Sequence, residues 1–287
     1  MADRAAGTMQ RDPAGVSGFM LWVNSVADAA LKGSAALWWL TAVIGQWIFV
    51  FYIIAHYGGV TLAGGLSAWT DLQPPNGYVP GKTIGNIALV THIVLAVIIH
   101  GGGPLQLVPQ IRSRFPTFHH WNGRAFMLAA IVASMSGLYM VWVRGTNLGF
   151  IDDITITITA ALIFIFAALA LRYAIARDIT THRRWALRLF MVVSAVWFVR
   201  LGIYGVIYLS RVLDIDFRTI AGPVFTIMAF AKFLVPLAIL EIYLRAGDSA
   251  GARGRFATAA LILVATVVTG VGIYAVTTLS WLPRIGM

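Results

Sequence analysis

The chain contains no cysteine in 287 residues. That absence excludes disulfides, iron–sulfur clusters, thiolate zinc sites and thioether-linked haem, and leaves histidine, carboxylate and methionine as potential metal ligands. Charge is scarce too. Only 11% of residues are Asp, Glu, Lys or Arg, against roughly 25% in an average soluble protein. The deficit falls mainly on the acids: 11 Asp and Glu face 21 Lys and Arg, for a net charge of +10. This surplus does not describe a nucleic-acid binder, because the cations sit in gaps between apolar segments and not along one solvated face. Zinc-protease H-E-x-x-H and Ser/His/Asp sets are missing, and the glycine run Gly101-Gly102-Gly103-Pro104 lacks the Lys-Ser/Thr of a phosphate loop. It reads as the broken, closely packed end of a helix.

What is present is apolar length. Hydrophobic residues make up 59% of the chain and mean hydropathy is +0.82. A spanning helix needs about 20 apolar residues. Seven segments qualify, at 36–57, 84–108, 121–143, 154–175, 185–209, 219–245 and 256–282. The expected fold is an all-α, polytopic transmembrane bundle of seven spans, with residues 35–287 forming one membrane domain. Residues 1–34 read as a cytoplasmic tail followed by an amphipathic helix at the membrane interface, since Asn24, Asp28 and Lys32 interrupt the apolar run 17–34. The mixed-charge start MADRAAGTMQRDPAG has no clear cleavage site and is not read as a signal peptide.

Basic residues set the expected orientation. Three precede the first span, three mark the entrance to the third, five surround 172–188 and three lie in 245–255; the opposite connections hold Lys82, Arg144, Arg211, Arg218 and Arg284. Fourteen against five predicts an N-in, C-out protein, as an odd number of spans requires. The expected partners are membrane lipids, an anionic ligand and other membrane proteins.

One motif recurs. Trp121-x-x-Arg124-x-Phe126-Met127 returns 64 residues later as Trp185-x-x-Arg188-x-Phe190-Met191, each copy with a histidine just before it (His119 and His182) and each opening an apolar run. Two related helical hairpins are one reading of such a repeat. The ordered series His92-Ile93-Val94-Leu95, Gly103-Pro104-Leu105-Gln106, Arg112-x-Arg114-Phe115-Pro116, His119-x-Trp121-x-Gly123-Arg124, His182-Arg183-Arg184-Trp185-x-x-Arg188 and Arg200-Leu201 resembles an uncharacterised family of predicted bacterial membrane proteins, domain of unknown function 2306, over residues 84–205. His120 stands where that pattern has arginine, and Asn122 where it has an apolar residue. The resemblance implies fold, topology and a bacterial inner-membrane location; it carries no activity.

Polar groups within spans are costly in hydrocarbon and mark candidate sites. At 1.5 Å of rise per residue, His92 and Arg200 lie ~12 and ~13 Å below the same membrane face, and Lys232 ~20 Å below it. No acidic residue is expected at that level. The first functional reading is a small redox protein holding haem b or quinone, with His92, His100, His119 and His182 as candidate iron ligands or hydrogen-bonding groups and Arg200 offsetting cofactor charge. Unmatched histidine depths oppose paired axial ligation. The second is a transporter or binding protein for an anionic solute or lipid, using Arg124, Arg188 and Lys232 together with Arg200. A third is an accessory subunit of a larger membrane complex.

Overall fold

The computed structural model describes residues 13–72, 77–145 and 149–287, with side chains from residue 18 onward. The tail expected before residue 13 lies outside the described residues. Eleven α-helices are described: α1 (Pro13–Ile53), α2 (Gly59–Gly64), α3 (Thr83–Gly102), α4 (Pro109–Arg114), α5 (Pro116–Tyr139), α6 (Phe150–Ile175), α7 (Ile179–Val193), α8 (Ala195–Val212), α9 (Phe217–Ser249), α10 (Ala252–Val276) and α11 (Leu282–Arg284). No strand occurs among the described residues. Seven crossings are long and apolar enough to span a membrane, and they match the seven hydropathic runs in order.

The boundaries differ in instructive ways. Residues 17–34 are helical, but they continue without a break into the first crossing. At 41 residues α1 is about 60 Å long, twice the ~30 Å hydrocarbon thickness, so part of it extends past the bilayer. Its early residues Phe19, Leu21 and Trp22 are exposed. The fifth crossing, expected as one helix over 185–209, is two: Ser194 adopts φ −78°, ψ 0° and separates α7 from α8. In α9, Pro223 and Pro236 lie inside the helix. Proline has no N–H, so Pro236 leaves the carbonyl of Lys232 without its helical donor.

Two packed bodies make up the bundle. In one, α3 pairs with α5 and α6 with α7 around Ile99, Phe126, Ala129, Ala130, Ala133, Ile163, Ala167 and Leu189–Val193. Small residues there let the helices approach closely, which is how packing holds helices together where lipid removes the hydrophobic drive. In the other, α1, α8 and α10 meet around Ala42, Phe49, Trp197, Leu201, Ile273 and Trp281. Helices α1 and α10 run parallel: Asp28 pairs with Arg255, Trp38 with Thr269, and Tyr52 with Arg284. First and last crossings can be parallel neighbours only if the number of crossings is odd. Large apolar side chains such as Val264, Val267 and Val268 point outward, as a lipid-facing surface requires.

The two ends of the bundle differ. One, the basic end, carries Arg112, His119, His182 and Arg245. At the other, the C-terminal end, three crossings finish in single π-turns, Ile54–Gly58, Met140–Arg144 and Thr277–Trp281. Such turns are rare and concentrate at functional sites. The connection after the first crossing packs over this end: the Trp69 ring lies tilted against Tyr57 and its indole donates to Thr61, while Arg144 donates to the carbonyls of Gly77 and Gly85.

Candidate functional site

At the C-terminal end a cavity of about 240 Å³ opens between α1, α3, α8 and the end of the last crossing. Its walls are aromatic and cationic. From α1 and the π-turn after it come Phe49, Tyr52 and Tyr57; α3 supplies His92; α8 supplies Arg200 and, one turn later, Tyr204; the last crossing supplies Ser280, Trp281 and Arg284. The π-turns place Tyr57 and Trp281 on these walls. Phe49, Tyr52 and Trp281 form a stack, with centroids 5.1 Å apart for Phe49–Trp281 and 5.7 Å for Tyr52–Trp281.

Arg200 carries the electrostatics. Its guanidinium donates to the carbonyl of Val196 at 2.6 Å and lies 5.2 Å from the centre of the Phe49 ring. Those two contacts use one of its five N–H donors and one face. Tyr57, Tyr52, Arg284 and Tyr204 are charged or ionisable groups acting on it, and among the described residues no carboxylate lines the cavity. Arg284 donates to the Tyr52 hydroxyl at 3.4 Å. Two guanidinium groups thus share one small cavity with hydroxyls, imidazole and aromatic rings.

His92 is fixed from behind. Its Nδ1 lies 2.9 Å from the carbonyl of Ala133 and 3.1 Å from the hydroxyl of Ser136 on α5. His100, two turns along α3, is buried with its ring edge-on to Phe49 at 5.2 Å, and its Nδ1 has no hydrogen-bond partner. It is adjacent to the cavity without lining it. Just below, Gln46 donates to Ser194 at 3.1 Å, while its own Oε1 and the indole nitrogen of Trp197 are buried without partners.

The remaining expected site residues lie elsewhere. Lys232 is buried between α9 and α6, donates to Thr155 at 3.1 Å and has Asp152 within electrostatic reach. An acid is therefore available to it, contrary to expectation, because Asp152 and Asp153 fall in the first turn of α6 and not in a connection. Arg188 also meets a carboxylate of the chain: Nε and the terminal nitrogen bind the two oxygens of Glu241 at 2.6 and 2.9 Å. That bidentate pair occupies the fork that the anion reading had assigned to a ligand. His119 and His182 sit at the basic end, near each other electrostatically; α5, which carries His119, does not line the cavity, and His182 lies 18 residues before Arg200 on the fifth crossing. His182 Nδ1 binds the carbonyl of Ala170 at 2.8 Å; His119 Nδ1 is buried and unpartnered.

The two copies of the repeated motif make similar local contacts. In each copy arginine stacks on its own tryptophan, Arg124 on Trp121 at 5.0 Å and Arg188 on Trp185 at 4.6 Å. Each copy also ties its helix start to the preceding crossing, His182 to Ala170 of α6 in one and Asn122 to the Gly102 carbonyl of α3 at 2.9 Å in the other. Asn122 fits because residue 102 is glycine: a Cβ there would lie 2.5 Å from the Asn122 side-chain oxygen.

A family model described as predicted membrane protein (DUF2306) matches residues 89–244, more than half of the chain. The chain belongs to that family. No curated protein and no solved structure matches it. The matched segment runs from α3 into α9 and contains His92, both tryptophan–arginine motifs and Arg200. Tyr52, Tyr57, Trp281 and Arg284 come from the flanking helices, so the cavity joins the family segment to the first and last crossings of this chain.

Tyr52, Tyr57, Tyr204, Trp281 and Arg284 were not expected as site residues. Aromatics near span ends read as interfacial belts, and Arg284 counts as a topology residue. One signal was in the sequence: Tyr204 follows Arg200 by four positions, which puts both on the same helical face.

Proposed function

We propose that this protein binds a small aromatic anion in the cavity at its C-terminal end, as an intramembrane binding protein or the recognition site of a transporter. The observation that carries this reading is the pair Arg200 and Arg284 on a cavity that, among the described residues, no carboxylate lines. A cation held at membrane depth costs roughly 2.5–3.5 kcal/mol on an insertion scale. A carboxylate offsets that cost and accepts the guanidinium donors that Val196 leaves free. The Phe49, Tyr52 and Trp281 stack suits a flat ring beside it. The basic asymmetry supports placing the basic end in the cytoplasm of a bacterial inner membrane, with the cavity facing outward.

A neutral quinone ring would use the same donors but leave both positive charges uncompensated, so an anion is the better match. Haem b fits less well. No second imidazole faces His92: His100 lies on the same helix, His56 stacks on Tyr52 and binds the carbonyl of Arg284, and His119, His120 and His182 occupy the other end. Among the described residues no group of three metal-binding side chains converges.

Benzoate is the simplest probe. Purified protein in detergent is expected to bind it, as read by tryptophan fluorescence and by a rise in melting temperature. Arg200→Gln is expected to weaken binding by about 10- to 100-fold, the loss of one charged hydrogen bond of ~1.5–3 kcal/mol, while the variant still elutes as a folded protein. Absence of benzoate binding, or equal binding by the folded variant, overturns the proposal.

A further inference from the structure

We infer that His92 is a specificity residue: it presents a hydrogen-bond acceptor to the cavity, so the preferred ligand is an aromatic carboxylate that also carries a hydroxyl group. The inference rests on the anion reading of the cavity and adds to it the second functional group of the ligand.

The tautomer of His92 follows from its partners. Nδ1 faces two oxygens, the Ala133 carbonyl at 2.9 Å and the Ser136 hydroxyl at 3.1 Å. A carbonyl has no proton to give. The Ser136 hydroxyl donates its own proton to the same Ala133 carbonyl at 2.9 Å, so toward His92 it offers a lone pair. Nδ1 must therefore carry the hydrogen, and in the neutral imidazole the lone pair resides on Nε2. The Nδ1–Cε1 edge of the ring is turned to α5, where Cε1 lies 3.5 Å from the site of a Cβ on Gly137. The remaining ring atoms, Nε2 beside Cε1 and then Cδ2, are left for the cavity, which His92 lines. Among the described residues Nε2 has no hydrogen-bond partner.

The other polar groups of the wall are donors or can act as donors. Arg200 and Arg284 have only N–H groups, and the Tyr52, Tyr57 and Tyr204 hydroxyls can each donate. An acceptor amid donors sorts ligands by what they give as well as by what they accept. A bare carboxylate satisfies the arginines and leaves Nε2 unpaired. A hydroxylated acid satisfies both, and its methyl ether does not, because a buried acceptor deprived of its donor costs its desolvation. Sites built to hydrogen-bond a substrate hydroxyl reject analogues that lack it.

The experiment compares benzoate, the three monohydroxybenzoates and their three methyl ethers on the full-length protein in detergent. At least one hydroxybenzoate is expected to bind about tenfold more tightly than its methyl ether. In His92→Leu that preference is expected to vanish, the hydroxybenzoate then binding no more tightly than its methyl ether. Selective ¹⁵N labelling of histidine reads the tautomer independently of any ligand, with Nδ1 protonated and Nε2 bare at His92 and the resonance assigned by its loss in His92→Leu. If no acid binds, the anion reading falls and this inference with it. If benzoate binds but the hydroxyl preference is absent, or survives in His92→Leu, only the role of His92 falls. A protonated Nε2 overturns it as well.

Discussion

The two tryptophan–arginine motifs provide an internal control for what an ion pair adds to this bundle. Both arginines stack on tryptophan, but only Arg188 is held by a carboxylate, through two hydrogen bonds of 2.6 and 2.9 Å. Charged hydrogen bonds contribute about 1.5–3 kcal/mol each when buried. Here the side chains retain 17% and 36% exposure, which pulls the pair partway toward the ~0–1 kcal/mol of surface bridges. A coupling of about 2 kcal/mol between Arg188 and Glu241 is the expected result. The stacking present in both copies adds ~0.5–1 kcal/mol. Arg124→Ala should then cost about 0.5–1 kcal/mol, and Arg188→Ala about 2–3 kcal/mol. Arg188→Ala combined with Glu241→Ala should cost about 2 kcal/mol less than the two singles summed. Reversible denaturant unfolding in micelles, with unchanged slope, measures all four. Equal losses at Arg124 and Arg188, or an additive double variant, would refute the assignment of Arg188 to structure and return it to the list of ligand-binding cations.

Gly45 of α1 sits against α10 and α8, where a Cβ would lie 2.6 Å from Ile273 Cγ1 and 2.8 Å from the Trp197 ring; Gly45→Leu should destabilise by about 1–3 kcal/mol through overpacking, seen as a lower melting temperature. At the α7 start, the Asp178 carboxylate accepts from the Thr181 side chain and from the Thr181 amide, and these hydrogen bonds hold its carboxyl below the usual carboxylate range. Its capping contribution should be complete above its unfolded value near 3.9 and fade as pH falls through the lower folded value. Hydrogen exchange of the first α7 amides should therefore lose protection in acid, a pH dependence absent from Asp178→Asn, whose amide also caps.

Hydropathy showed the seven crossings because each run exceeds the length that hydrocarbon demands, and lipid leaves helix as the only open-chain solution. It underestimated the ends. Helix α1 starts at Pro13 and α5 at Pro116, since residues such as Asn24, Asp28, His119 and His120 are tolerated in a helix that has left the bilayer core. The break at Ser194 was hidden inside MVVSAVWF, where one serine among apolar residues carries no helix-stopping signal. His92 and Arg200 were legible as a pair because a buried polar group is conspicuous in an apolar span and depth is countable. Their tyrosine and arginine neighbours were not, because the π-turns that aim Tyr57 and Trp281 leave no mark in hydropathy. The partners of Arg188 and Lys232 depended on which faces of α7, α9 and α6 meet, which spacing along one chain does not reveal.

The interruption at Ser194 has a mechanical meaning. Before it, the fifth crossing belongs to the body of α3, α5 and α6; after it, the same crossing belongs to the body of α1 and α10. The cavity lies along that seam, with His92 on one side and Arg200, six residues past the joint, on the other. Residue 194 is thus the point at which one crossing passes from the packing that surrounds α6 to the packing that holds Arg200 beside α1 and α10. Gln46, reaching from α1 to the Ser194 hydroxyl, is the pin through that joint.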